Sequence, residues 1–452
     1  MKQFSAVGVD LFSSGGCPCC HHRGKRLDDL NKTVYPFAEE VPERTHQERV
    51  EMADSGVYLD DTIKGGTILL TVPQFDIVDC IPIDAMHCCW EGVVAFFMNL
   101  WFDAAYHNKP WSLRFQLAQF DSDLKHFKIP ADYGRTFRSF SQHGKHWKAM
   151  EYKLFAFVVF PVWMKKYFNT EETSKFYDHF LLFVSAMSIL HSKSIGRTVL
   201  STAHSLLIDF VKGVQSYYHE EFMTFNIHQC LHLTKYVSLF GPLWTHDCFP
   251  FETFNAQVLK YMHGTRQVME QLEWFSRIQQ KLESLAAAMP HSPSLNTSCT
   301  LEGSSSKHTL SNKQLQSLHV WARQRSLAPH LIPSKINTFS RAAVQNGFGN
   351  WMLHTINYKP ECKLKTCDFA IKIATKEGFS YGLAQHFFQL QFPSSQVKFL
   401  VGYIPLATVL PLGKGCFKVQ RHTQMQFACV TDIVGKIAWI EFGSGTYVVD
   451  IS

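Results

Sequence analysis

Apolar residues between Ile83 and Phe102 recur every three to four positions: Met86, Trp90, Val93, Val94, Phe97, Leu100 and Trp101. That period puts them along one side of a helix, which must bury them against other elements. The same texture predicts helices at about 113–127, 145–168, 172–192, 197–219, 226–239, 252–262 and 266–288, punctuated by Gly134, Gly144, Gly196 and Gly241-Pro242. From about residue 335 the texture changes to short β-branched and aromatic runs such as FAIKIAT, KFLVGYI, KIAWIEF and TYVVDI. These read as a small antiparallel β domain, a barrel or a sandwich. The expected class is therefore α+β, a predominantly helical domain followed by a small antiparallel β domain. Four segments are expected: an irregular Cys/His segment over 1–82, a helical domain over 83–288, a Ser-rich linker with a short helix at 312–325 over 289–334, and the β domain over 335–452.

Composition narrows the class. The chain has 452 residues, with 44 Lys+Arg against 38 Asp+Glu for a formal charge of +6. At 46% hydrophobic and 18% charged residues it is too apolar for a disordered chain. The mild basic excess permits a nucleic-acid partner without demanding one. The longest apolar runs, including Leu154–Met164, are far shorter than the about 20 residues a membrane span needs, so no membrane association is expected. The count of 13 Cys is odd, and MKQFSAVGVDLFSSGG lacks the form of a secretory signal. The expectation is an intracellular, reduced chain in which Cys/His clusters mean metal rather than disulfides.

Three clusters could carry chemistry. In Cys17-Pro18-Cys19-Cys20-His21-His22, the C-x-x-C pair of Cys17 and Cys20 can present two thiolates to one tetrahedral zinc ion, with further ligands sought at His46, His87 or Cys88. In Asp84-Ala85-Met86-His87, Asp84 suits a helix N-cap, with His87 one turn on. The bland reading is a cap beside a buried histidine. The functional one is a carboxylate–imidazole pair that orients a metal or another acid. In Asn226-Ile227-His228-Gln229-Cys230-Leu231-His232, the i, i+4 spacing of His228 and His232 puts both imidazoles on one helix face, the spacing one metal needs. The pair lacks the glutamate of a zinc-protease H-E-x-x-H motif. Glu252, after Phe249-Pro250-Phe251, reads locally as a helix-start acid. Arg135, Arg138, Lys145, His146, Lys148, Lys153, Lys165 and Lys166, interleaved with Phe140 and Trp147, could track a phosphate backbone, or form the solvated face of a helix.

In order, the segments GCPCCHHRG, VYPF…RTHQE, PQFDIVDCIPIDAMHCCWEGVVAFFMNLWF, GKHWKAMEYKLFAFVVFPVW and YYHEEFMTFNIHQCLHLTKYVSLFGPLWTHDCFPFETF resemble the C-terminal two-thirds of CACTA (EnSpm-like) transposases. The resemblance covers roughly 1–285 and, more loosely, 335–452. It implies a DDE-type nuclease and strand transferase, with an RNase H-like fold interrupted by a helical insertion. In such a site three carboxylates hold two Mg²⁺ or Mn²⁺ ions for phosphodiester transfer. By position Glu252 matches the third acid, and Asp84 and His87 match a D-x-x-H signature. Cys17, Cys20 and His22 match a C-x-x-C-x-H segment whose expected zinc partners are His46 and His87. Trp147 and Glu151 match a helical-insertion signature. The family's first two aspartates lie before the C-x-x-C segment, the second just upstream of a Lys-Gln-Phe matched by Lys2-Gln3-Phe4. Asp10, Asp76, Asp79 or Asp84 would replace them only by coincidence.

The expectation is thus a truncated transposase-like protein, catalytically inert as written, nuclear if functional, with a structural zinc and Mg²⁺ or Mn²⁺ only in a complete homologue. An unpaired sheet edge beside Glu252 would mark the missing half. The alternative is a domesticated zinc-containing module that binds DNA, another protein or a second copy of itself. A weaker rival is a zinc hydrolase built on Cys17, Cys20, His46 and His87, which would need an open metal position.

Overall fold

A computed structural model describes residues 16–56, 67–264, 266–288, 298–303, 305–346, 349–358, 366–392, 397–413, 415–442 and 445–450. The match at Lys2-Gln3-Phe4, Asp10 and the linker stretch 289–297 lie outside these residues. The chain folds as α+β, a helical region followed by antiparallel sheets. It divides into two compact units, residues 1–115 with 163–283, and residues 116–162 with 284–452.

The helical unit is organised by the Ile83–Phe102 stripe. Met86–Val94 is π-helical and runs directly into the α-helix Ala95–Phe102. Phe97 and Trp101 each pack 5.0 Å from Phe180 of the helix Glu171–Leu190. Phe183 of that helix lies 5.0 Å from Phe210 of the helix Arg197–Tyr218. These rings are fully buried, so the core is an aromatic stack whose area burial dominates its stability. Gly213 allows the close packing of the two long helices, since a Cβ there would stand 2.2 Å from Cδ2 of His179. Leu233–Phe240 ends at Gly241, whose φ of +87° favours glycine, and Pro242 follows. Among the described residues of this unit the strands are Lys25–Leu27 and Lys32–Val34, a three-residue antiparallel pair. Glu252 sits in the first turn of the helix Phe249–Lys260.

The second unit corrects the expected boundaries. Residues 116–162, expected inside the helical block, belong with the sheets. The reason is long-range pairing: Phe127–Lys128 adds to the strand Ala438–Phe442, with Trp439 opposite Lys128 and Ile440 opposite Phe127. An eleven-stranded sheet carries the long hairpin Gly378–Gln391 and Val397–Gly413, and a three-stranded sheet joins Ser298–Glu302, Arg341–Asn346 and Gly349–His354. Among the described residues the ladders between these strands are antiparallel, and an isolated bridge joins Ile129 to Thr366 in parallel. The Ser-rich linker is structured from residue 298, since Ser298–Glu302 and Ser306–Thr309 both pair with later strands. Backbone ladders need no apolar side chains, which is why composition misleads at this point. The helix Asn312–Arg323 agrees with the expected one and buries Leu318 and Trp321 against Phe388, Leu400 and Phe427.

Candidate metal centre

The Cys-rich loop is shaped by its backbone. Cys17 N–H donates to His22 O at 2.8 Å, Gly24 turns at φ +75°, and Cys20 bridges Glu43 across an antiparallel pair. Buried Arg44 donates through Nε to the carbonyls of Cys17 (2.8 Å) and Cys20 (2.9 Å), fixing the loop from behind. The facing element is the helix Phe225–Gln229, continued by the 3₁₀ turn Cys230–His232. Asn226 O accepts from both Cys88 and Cys230, and the Asn226 side chain fills the space where a Cβ on Gly92 would come within 2.5 Å. The π-helical segment thus sets the position of the histidine-bearing turn.

Between loop and turn, Cys17, Cys20, His228 and His232 bring one donor atom each within 4.8 Å of all the others. Cys17 Sγ is 3.6 Å from His232 Nε2, Cys20 Sγ is 3.4 Å from His228 Nε2, and the two Nε2 atoms are 3.4 Å apart. Both cysteines and His228 are buried. The arrangement could hold a metal ion. Its electrostatics suit one. A hydrogen bond from Cys17 brings Cys20 down to about 2, although burial opposes this. Burial drives Cys17 well above the ordinary thiol range. Burial lowers His228. Burial also works against protonation of His232, but the hydrogen bond to Cys20 and the neighbouring thiols raise it overall. A dication binding here would displace the remaining thiol and imidazolium protons, because metal ligands must be deprotonated. Around it, Cys19 N–H donates to Cys17 Sγ at 3.4 Å, and Tyr35 stacks on His228 at 5.5 Å.

The structure does not bring the other expected ligands to this cluster. His46 begins the helix His46–Ser55, where its Nδ1 accepts from Ile77 N–H at 3.2 Å. His22 packs its ring 4.8 Å from His228 but spends Nε2 on Pro36 O and Nδ1 on Gly24 N–H. Cys88 points to Asn226 O. His87 joins a second group, Asp84, His87 and Cys248, with Nδ1 bonded to Asp84 and Nε2 3.6 Å from Glu252 Oε1. The zinc-hydrolase set of Cys17, Cys20, His46 and His87 is therefore not assembled. Asp84 is the expected cap: it accepts from Met86 N–H and His87 N–H, each at 3.1 Å. Asp76 accepts from Val78 and Asp79 N–H, and Asp79 pairs with Lys235 at 2.7 Å.

Trp147 and Glu151 form a lock in the second unit. Glu151, fully buried, accepts Arg138 Nε at 2.8 Å and Lys148 N–H at 3.0 Å, while Trp147 Nε1–H donates to Arg138 O. Arg138, first of the basic stretch to be fixed, is thereby engaged by a carboxylate. No protein-family model, curated protein or solved structure matches this chain.

Proposed function

We propose that the chain is a zinc-organised, transposase-like protein that does not itself cleave DNA. The observation that carries the zinc reading is the meeting of a C-x-x-C pair with an H-x-x-x-H pair 208 residues away in one four-donor cluster. A tetrahedral zinc with Zn–S of about 2.3 Å and Zn–N of about 2.0 Å sets S···N pairs about 3.5 Å apart and N···N pairs about 3.3 Å apart. The separations of 3.6, 3.4 and 3.4 Å fit that ion. Four protein ligands leave no open position, which marks a structural ion rather than a catalytic one.

Inertness is supported by the carboxylates. Among the described residues no three of them share a donor cluster. Hard Mg²⁺ or Mn²⁺ ions want several oxygens, and Glu252 alone supplies too few. The RNase H-like ancestry rests on the motif series and remains part of this proposal. The experiment is metal analysis of the full chain after dialysis against a weak chelator. One zinc per chain is expected, lost in Cys20→Ser and His228→Ala. Retention of zinc in both variants would overturn the site. A chain that nicks DNA with Mg²⁺ and stops on Glu252→Ala would overturn inertness.

A second reading, a module that binds protein rather than DNA, is favoured by exposed apolar groups on the helices Phe249–Lys260 and Val268–Ala288. Phe251, Met269 and Trp274 are 68%, 73% and 69% exposed. Contiguous exposed apolar surface marks partner sites. Salt-dependent DNA retention, strong at about 50 mM salt and lost at 200 mM, would instead favour the DNA version.

A further inference from the structure

We propose that Asp84, His87 and Cys248 form a second, accessible site for a borderline divalent ion such as Zn²⁺ or Co²⁺, with Glu252 as its outer partner. The donor atoms of Asp84, His87 and Cys248 lie within 4.8 Å of one another, and all three residues are half-buried. The Asp84 carboxylate is held rigidly at the centre of this group. It offers about four lone-pair directions. Three are taken by backbone N–H groups: Met86 (3.1 Å) and Cys248 (2.8 Å) on Oδ1, and His87 (3.1 Å) on Oδ2. The fourth, on Oδ2, faces His87 Nδ1. In this structure the two atoms share a proton, with no room for an ion between them; a turn of the His87 ring would open the position, and Cys248 Sγ stands close enough to complete a three-donor set.

The remaining imidazole nitrogen faces a carboxylate just beyond hydrogen-bond reach, and metal-bound histidines commonly give their second N–H to such a group. His87 Nε2 is 3.6 Å from Glu252 Oε1, and Glu252 is held in the first turn of Phe249–Lys260 with its side chain 56% exposed. Nearby His246, two residues before Cys248, buries both ring nitrogens without a hydrogen bond of normal geometry. One carboxylate, one imidazole and one thiolate select Zn²⁺ or Co²⁺ over Mg²⁺. Three protein ligands leave a fourth position open, unlike the closed cluster at Cys17 and Cys20.

The test is Co²⁺ titration of the full chain carrying its purified metal, followed by absorption spectroscopy. One further Co²⁺ per chain is expected, with a thiolate-to-cobalt band in the near ultraviolet that a hundredfold excess of Mg²⁺ does not remove. Cys248→Ser should remove the band, His87→Gln should abolish binding, and Glu252→Gln should weaken it about 10- to 100-fold. Absence of Co²⁺ uptake by the folded wild-type chain overturns the site and needs no variant. Uptake with a band that survives both Cys248→Ser and His87→Gln overturns it as well, as does ready displacement by Mg²⁺. The outcome is independent of the zinc reading above, which is read from the metal content of Cys20→Ser.

Discussion

The two units solve the same problem by different chemistry. In the helical unit, the C-x-x-C loop and the His228/His232 turn are far apart in sequence and share no backbone ladder, so their side chains must provide the join. In the sheet unit, the long hairpin Gly378–Gln391 and Val397–Gly413 is joined by its own backbone bonds. Its distant segment is tied by buried charge: Lys436, 2% exposed at its side chain, reaches Asp368 at 2.7 Å and Asp132 at 2.9 Å. Asp368 also accepts Ala131 N–H at 3.0 Å. Among the described residues the sheet unit holds no cluster of three metal donors. Strands can recruit remote chain by ladder and ion pair, whereas a loop facing a helix turn calls for a cross-link.

The contrast is broken most severely by removing metal. A strong chelator, or Cys20→Ser, should abolish the helical unit's calorimetric transition and leave that of the sheet unit, because structural zinc carries about 10 kcal/mol or more of apparent folding energy. Loss of both transitions together would refute the division. Lys436→Met should act in the opposite unit, costing about 4 kcal/mol by breaking the buried pair with Asp368, with zinc content unchanged. Urea unfolding followed by tryptophan fluorescence measures it.

A pH effect is expected in both units, since burial lowers His386 of the sheet unit to about 4 as well, and the helical unit's share should be nearly as large as the Lys436 effect. Burial lowers His179 to about 4, against about 6.5 unfolded. Its neutral form therefore stabilises the fold fully above pH 6.5, and this is lost progressively as pH falls to 4, about 3 kcal/mol in all. Acid also protonates the Cys/His cluster, so the measurement is the difference in urea midpoint between wild type and His179→Gln at pH 4.5 and 7. Gly213→Ala should cost about 3 kcal/mol, because the new methyl meets the His179 ring. The smallest change is Arg277→Ala, which removes an exposed i, i+4 pair with Glu273 and should shift stability by less than about 0.5 kcal/mol.

Much of the helical architecture was legible because periodicity is a local signal. The helices Glu171–Leu190 and Arg197–Tyr218 lie within two residues of their expected bounds. Both halves of the candidate centre were legible too, each as a two-donor spacing. Their union was not. The family resemblance points to His46 and His87 as partners, yet those imidazoles are occupied by Ile77 N–H and by Asp84. The usable signal was arithmetic: two incomplete pairs, each offering half of a tetrahedral set. The transfer of 116–162 to the sheet unit was invisible for a similar reason. It depends on the two-residue strand Phe127–Lys128 and on Asp132 and Ala131 meeting residues more than two hundred positions away. Glu151 and Trp147 were noticed for their pattern, while their work is to hold Arg138 and a helix start.

The 208-residue gap between Cys20 and His228 also sets a schedule for synthesis. At about 5–20 residues per second, the cysteine pair waits about 10–40 s before the histidines follow it from the ribosome. On the proposed zinc reading, an ion held by the two thiolates alone would be half-coordinated and exchangeable during that interval. Metal supply and translation rate would then together govern how much of the chain matures.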